Sequence, residues 1–148
     1  VLTPGAVRLG SLPAGAVPDG ALTGVDRAAG RMLAAPLRRG EPITDVRLAG
    51  AQLARVAAAD PDAVSVPLRL SDPDVAALLH PGATVDVVTL GERQDQPVVL
   101  GRGATVLAVL DAATSSEEGR LVLVALEPDA ATRVAGASLS QAVTVTVR

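Results

Sequence analysis

A mainly β protein in two small modules is what this 148-residue sequence predicts, and three observations lead there. Gly and Pro recur every few positions through residues 1–48, as in Thr3-Pro4-Gly5, Leu12-Pro13-Ala14-Gly15 and Val17-Pro18-Asp19-Gly20, too often for a long helix. From Ala63 onward, β-branched runs of strand length alternate with turn residues. The charge divides near the same place. Residues 1–60 carry seven Arg and five acids, a balance of +2, whereas 61–148 carry six Arg and eleven acids, a balance of −5. The expected organisation is therefore an irregular β module over 1–48, a helical linker over 49–62, and a second β-rich module with one or two short helices over 63–148.

In the first module, the apolar pieces Val7-Arg8-Leu9, Arg31 to Leu37 and Val46-Arg47-Leu48 read as short strands between tight turns. The run from Ala49 to Ala59 has helix-forming composition, places Leu53 and Val56 three apart, and stops at Asp60-Pro61. Val64, Val66, Leu68 and Leu70 alternate with small or polar residues, which predicts a half-buried strand, and Pro67 confines it to the neighbourhood of a sheet edge. Ser71-Asp72-Pro73-Asp74 offers a cap and an N-terminal Pro for a turn or two of helix carrying Val75, Leu78 and Leu79. Thr84 to Leu90 and Pro97 to Leu100 predict a hairpin around the polar stretch Gly91 to Gln96. Gly101-Arg102-Gly103 reads as a turn. Thr105 to Leu110, Arg120 to Leu126 and Ala142 to Arg148 predict three more strands, with a mobile polar loop over 111–119. Pro128 to Ala135 predicts a short helix against the sheet, with an Asp129 to Arg133 pair one turn apart.

Composition removes several function classes. The 49% apolar content and mean hydropathy of +0.39 demand a core, built here from Val, Leu and Ala. Phe, Tyr and Trp are absent, so no aromatic platform exists for stacking bases or sugar rings. Cysteine is absent too, which excludes disulfides, thiolate nucleophiles and cysteine metal cages. With a net charge of −3, nucleic acid is not an expected partner. No apolar run approaches the roughly 18 residues of a membrane span, and the longest clear one is Leu121 to Leu126. This stretch of chain is expected to be soluble.

The residues able to do chemistry are few. His80 is the one imidazole, and a hydrolytic reading would pair it with Ser71 or Ser65 and with Asp86. No Gly-x-Ser-x-Gly elbow is present, and a helix-terminal imidazole is the simpler account. Asp72 and Asp74 suit a helix start better than a calcium loop. Glu92 with Asp95, and Glu117 with Glu118, stand in polar stretches with nothing apolar nearby to raise a pKa. No catalytic residue, cofactor or metal site is expected. Arg38-Arg39-Gly40-Glu41, with Arg31 seven residues before Arg38, is the densest charge in the basic half and suits bidentate contact with carboxylates or phosphates of a partner. Arg31, Arg38, Arg39 and Glu41 are accordingly the candidate binding residues.

Gly30, Leu37, Gly40, Glu41 and Ile43 fall in an order that resembles the later part of a SAF domain, a β-clip fold, with the opening strand of that fold lying outside this chain. In the second module, Ala63-Val64-Ser65-Val66 followed by Pro81-Gly82-Ala83-Thr84-Val85-Asp86-Val87 resembles the signature of the RcpC/CpaB family of Flp (Tad) pilus assembly proteins. Pro81, Gly82, Val85 and Asp86 are its structural motif. The resemblance implies a non-enzymatic assembly or scaffold factor on the extracytoplasmic side of the cell membrane, anchored in the full-length protein by a helix that this chain does not include. It implies pilus or secretion-system proteins as partners, with cell-wall polymer as a further contact, and leaves oligomerisation open. A second reading is a binding or chaperone module whose Arg31, Arg38 and Arg39 face an acidic cell-wall or carbohydrate ligand.

Overall fold

The computed structural model describes residues 1–70, 72–91, 96–110 and 120–148. The chain divides into two compact units, Val1–Leu53 and Ala54–Arg148. Ser71, Glu92, Asp95, Glu117 and Glu118 lie outside the described residues, as does the loop expected over 111–119.

The first unit replaces its expected strands with single crossings. It holds four turns of 3-10 helix, at Pro4–Ala6, Ala14–Ala16, Val25–Arg27 and Asp45–Arg47, and two isolated bridges, Ala21 with Thr44 and Leu33 with Leu48. Val7 to Leu9 forms no strand, and Val46-Arg47 belongs to a 3-10 turn. The reason is spacing: apolar pieces of three residues between turn residues are too short to propagate a ladder, so backbone groups pair one crossing at a time. Three such crossings stitch the unit. Leu2 pairs with Gly30 and Arg31 (2.9 and 2.8 Å), Gly20 and Leu22 pair with Asp45 and Ile43 (3.0 and 2.9 Å), and Met32 and Ala34 pair with Ala49 and Arg47 (2.9 and 3.0 Å). Leu48 and Ala28 are the fully buried apolar residues of this unit.

Helix α1, Ala51–Ala58, lies within the stretch expected to be helical and carries the chain across the division. The second unit is mainly β. Strands β1 (Val64–Leu70), β2 (Thr84–Leu90), β3 (Pro97–Leu110), β4 (Arg120–Leu126) and β5 (Val143–Val147) form one antiparallel sheet in the order β1-β4-β3-β2-β5. Short helices α2 (Pro73–Ala77) and α3 (Pro128–Ser138) follow β1 and β4. Pro67 sits in β1, an outermost strand, where its missing N–H breaks no ladder. The two outer strands, β1 and β5, come close to each other, so the sheet curls into a half-barrel, with α3 packed on β1 and β3.

Alternation decides what fills it. Val66, Leu68 and Leu70 of β1 point inward between exposed Pro67 and Arg69, and Val143 and Val145 of β5 do the same between Thr144 and Thr146. Val85, Val106, Val124 and Val134 complete the centre, each at most 1% exposed. Asp72 caps α2 by accepting the Asp74 N–H at 2.8 Å, and Glu127 caps α3 by accepting the Ala130 N–H at 2.7 Å. Arg133 pairs with Glu127 at 3.6 Å instead of Asp129, and its Nε donates to the Leu100 carbonyl at 3.1 Å.

Gly101-Arg102-Gly103 is not a turn. β3 runs through it as one strand of 14 residues with local bulges. Val85 faces Ala104 and Val87 faces Gly101, so Asp86 alone stands opposite both Arg102 and Gly103. Gly103 absorbs the extra residue with φ +65°, as in a bulge of the glycine type. Gly101 serves differently. A Cβ there would lie 3.0 Å from Leu126 Cδ2 and 3.5 Å from the Ala130 Cβ, so its bareness lets the start of α3 settle onto the strand.

Candidate functional site

Two polar constellations stand out, one in each unit. In the second, Asp86 is 8% exposed and receives the Gly103 N–H on Oδ1 at 2.8 Å and Arg148 Nη2 on Oδ2 at 2.9 Å. Arg102, mostly solvent-exposed, stands 3.8 Å from the same Oδ2. The bulge leaves the Gly103 N–H without a ladder partner, and the carboxylate supplies one. The Arg148 hydrogen bond, followed by that of Gly103, holds the Asp86 carboxyl below the usual carboxylate range against the opposing push of burial. Arg148 also donates its backbone N–H to Thr84 O at 2.9 Å. Pro81 and Gly82 form the turn into β2, with the Gly82 N–H bonded to Val106 O at 2.8 Å, and Val85 is fully buried. The four residues of the sequence motif thus build one junction of β2, β3 and β5.

His80 stands just before the turn at Pro81 and Gly82. It is exposed, and its Nδ1 lies 3.1 Å from the carbonyl of the next residue, Pro81. Thr89, the other buried polar residue among those described, has its hydroxyl 2.8 Å from Ala142 O, tying β2 to the turn before β5. Among the described residues, no cluster of three or more His, Asp or Glu could hold a metal ion. Nor is any helix there long and apolar enough to cross a membrane.

The second constellation is an open groove of about 400 Å³ within the first unit, lined by Gly20, Ala21, Leu22, Arg27, Arg31, Asp45, Leu48 and Gln52. Three local structures assemble it. The 3-10 turn Val25–Arg27 and the crossing of Leu2 onto Gly30 and Arg31 place Arg27 and Arg31 along it. The 3-10 turn Asp45–Arg47 sets the carboxylate, whose Oδ1 accepts the Val46 N–H at 2.8 Å. Gly20, at φ +72°, passes directly beneath the Asp45 carboxylate where a Cβ would collide with it. The first turn of α1 contributes Gln52. The Arg31 guanidinium lies across Gly50, 3.2 Å from where a Cβ would stand. Among the described residues, neither Arg27 nor Arg31 has a carboxylate within ion-pair distance.

Of the four binding residues expected from sequence, Arg31 lines this groove. Arg38, Arg39 and Glu41 do not; they occupy an exposed turn closed by the Glu41 N–H to Arg38 O bond at 3.2 Å. Arg27, Asp45 and Gln52 escaped the sequence reading. The available signal for Asp45 was a lone carboxylate in an otherwise uncharged run, Ile43-Thr44-Asp45-Val46.

No protein-family model, curated protein or solved structure matches this chain.

Proposed function

We propose that the chain is a non-enzymatic assembly module of the cell envelope, of the RcpC/CpaB pilus-assembly type, that positions pilus or secretion-system proteins on the extracytoplasmic side of a membrane. One observation supports this above others: the most specific segment of the resemblance, Pro81-Gly82 through Val85-Asp86, is architectural. Its buried carboxylate is consumed by Arg148 and the Gly103 bulge, where it stiffens a sheet junction and offers no proton to a substrate. A braced half-barrel suits a protein whose task is to hold surfaces in register, since rigid elements lose little entropy on docking.

The test is affinity capture from envelope extracts with the full chain as bait. Pilus or secretion-apparatus proteins are the expected catch, and the purified protein is expected to show no hydrolase or transferase turnover. Recovery of cytoplasmic enzymes alone overturns the reading.

A further inference from the structure

The groove of the first unit gathers groups that the assembly reading does not use. Arg27 and Arg31, neither with an internal carboxylate partner among the described residues, line it together with Asp45, Gln52 and Leu22. Guanidinium forks match carboxylates and phosphates alike. Asp45 separates the two. Anchored by the Val46 N–H and seated over Gly20, its carboxylate repels the denser charge of a phosphate dianion but accepts hydrogen bonds from hydroxyls. Gln52 adds a carbonyl acceptor and an amide donor of the kind vicinal hydroxyls require. The volume, about 400 Å³, is in the range of small-ligand sites. We propose that this groove binds a sugar acid, with Arg27 and Arg31 on its carboxylate and Asp45 and Gln52 on its hydroxyls.

The full chain, isotopically labelled, would be titrated with sodium glucuronate at fixed ionic strength and its amide resonances followed, with glucose and inorganic phosphate as comparison probes. Saturable shifts are expected at Gly20, Ala21, Leu22, Arg27, Arg31 and Asp45 with glucuronate, none with glucose, and weaker binding with phosphate. Arg31→Gln should weaken glucuronate binding about tenfold, the loss of one charge-assisted fork, and Arg31→Lys should fall between the two. Arg38→Gln with Arg39→Gln should leave it unchanged. If Arg31→Gln disturbs the fold, visible as lost dispersion, Arg27→Gln gives the same reading from a different turn, Val25–Arg27. Absence of saturation, shifts centred on 38–41, phosphate binding as tight as glucuronate, or wild-type affinity in these groove variants overturns the assignment. The titration reads the groove alone and the capture experiment reads the whole chain, so each can fail without the other.

Discussion

Asp86 and Arg148, 62 positions apart in sequence, meet at 2.9 Å, and the contact ties the residue that follows β5 to β2, opposite the bulge in β3. The pairing gives a pH signature. Because the folded Asp86 carboxyl titrates below its unfolded value, its stabilisation is complete well above the ordinary aspartate pKa of about 3.9 and fades as pH falls through and below it. Asp86→Asn should lower the urea midpoint at pH 7, and the gap to wild type should narrow below about pH 4. A gap of constant size from pH 7 to pH 3 contradicts this. Arg102→Gln, losing only a long, exposed pairing, should leave the midpoint nearly unmoved.

The two bulge glycines should respond for different reasons. Gly103→Ala meets open space, so its cost is that of a left-handed backbone alone, about 1 kcal/mol, and Gly103→Asn should cost less. Gly101→Ala forces Leu126 to yield and should cost about 1–3 kcal/mol through packing. Combining Gly101→Ala with Leu126→Ala should recover part of the clash in a double-mutant cycle, while Gly103→Ala with Leu126→Ala should be additive.

Leu68 is fully buried near the centre of the half-barrel. Leu68→Ala should destabilise the second unit by about 3 kcal/mol, the transfer and cavity cost of a core leucine. Chemical denaturation followed by circular dichroism measures it. A loss under about 1 kcal/mol means the site collapses around the gap.

Glu127 caps α3 with both carboxylate oxygens, accepting from Ala130 at 2.7 Å and Asp129 at 3.3 Å. Glu127→Ala should cost about 1 kcal/mol, whereas Glu127→Asp, one methylene shorter but a strong cap by type, should cost less. Equal losses in thermal melts would show that the Arg133 ion pair, not the cap, carries the contribution.

Much of the second unit was legible because local signals agreed there. The alternation from Val64 to Leu70, the single proline in it and the Asp72 cap each state a local rule that the fold obeys. Gly101-Arg102-Gly103 misled because two glycines signal a turn as strongly as they signal a bulge, and the difference lies in Asp86 and Leu126, both more than 14 positions away. The groove was hidden for a related reason. Arg27, Arg31, Asp45 and Gln52 come together only through backbone crossings that no periodicity announces, so of these Arg31 alone was noticed, and through its neighbours in charge.

The stitching of the first unit has a kinetic consequence. Where each crossing rests on a pair of hydrogen bonds with no ladder behind it, one stitch can part without disturbing the next, so its amides should trade protons with solvent through small independent openings. In the sheet, by contrast, a Val87 or Val124 amide is released only when neighbouring strands separate together. A molecule of this kind keeps two clocks, a fast one where the arginines line the groove and a slow one where the half-barrel holds its shape.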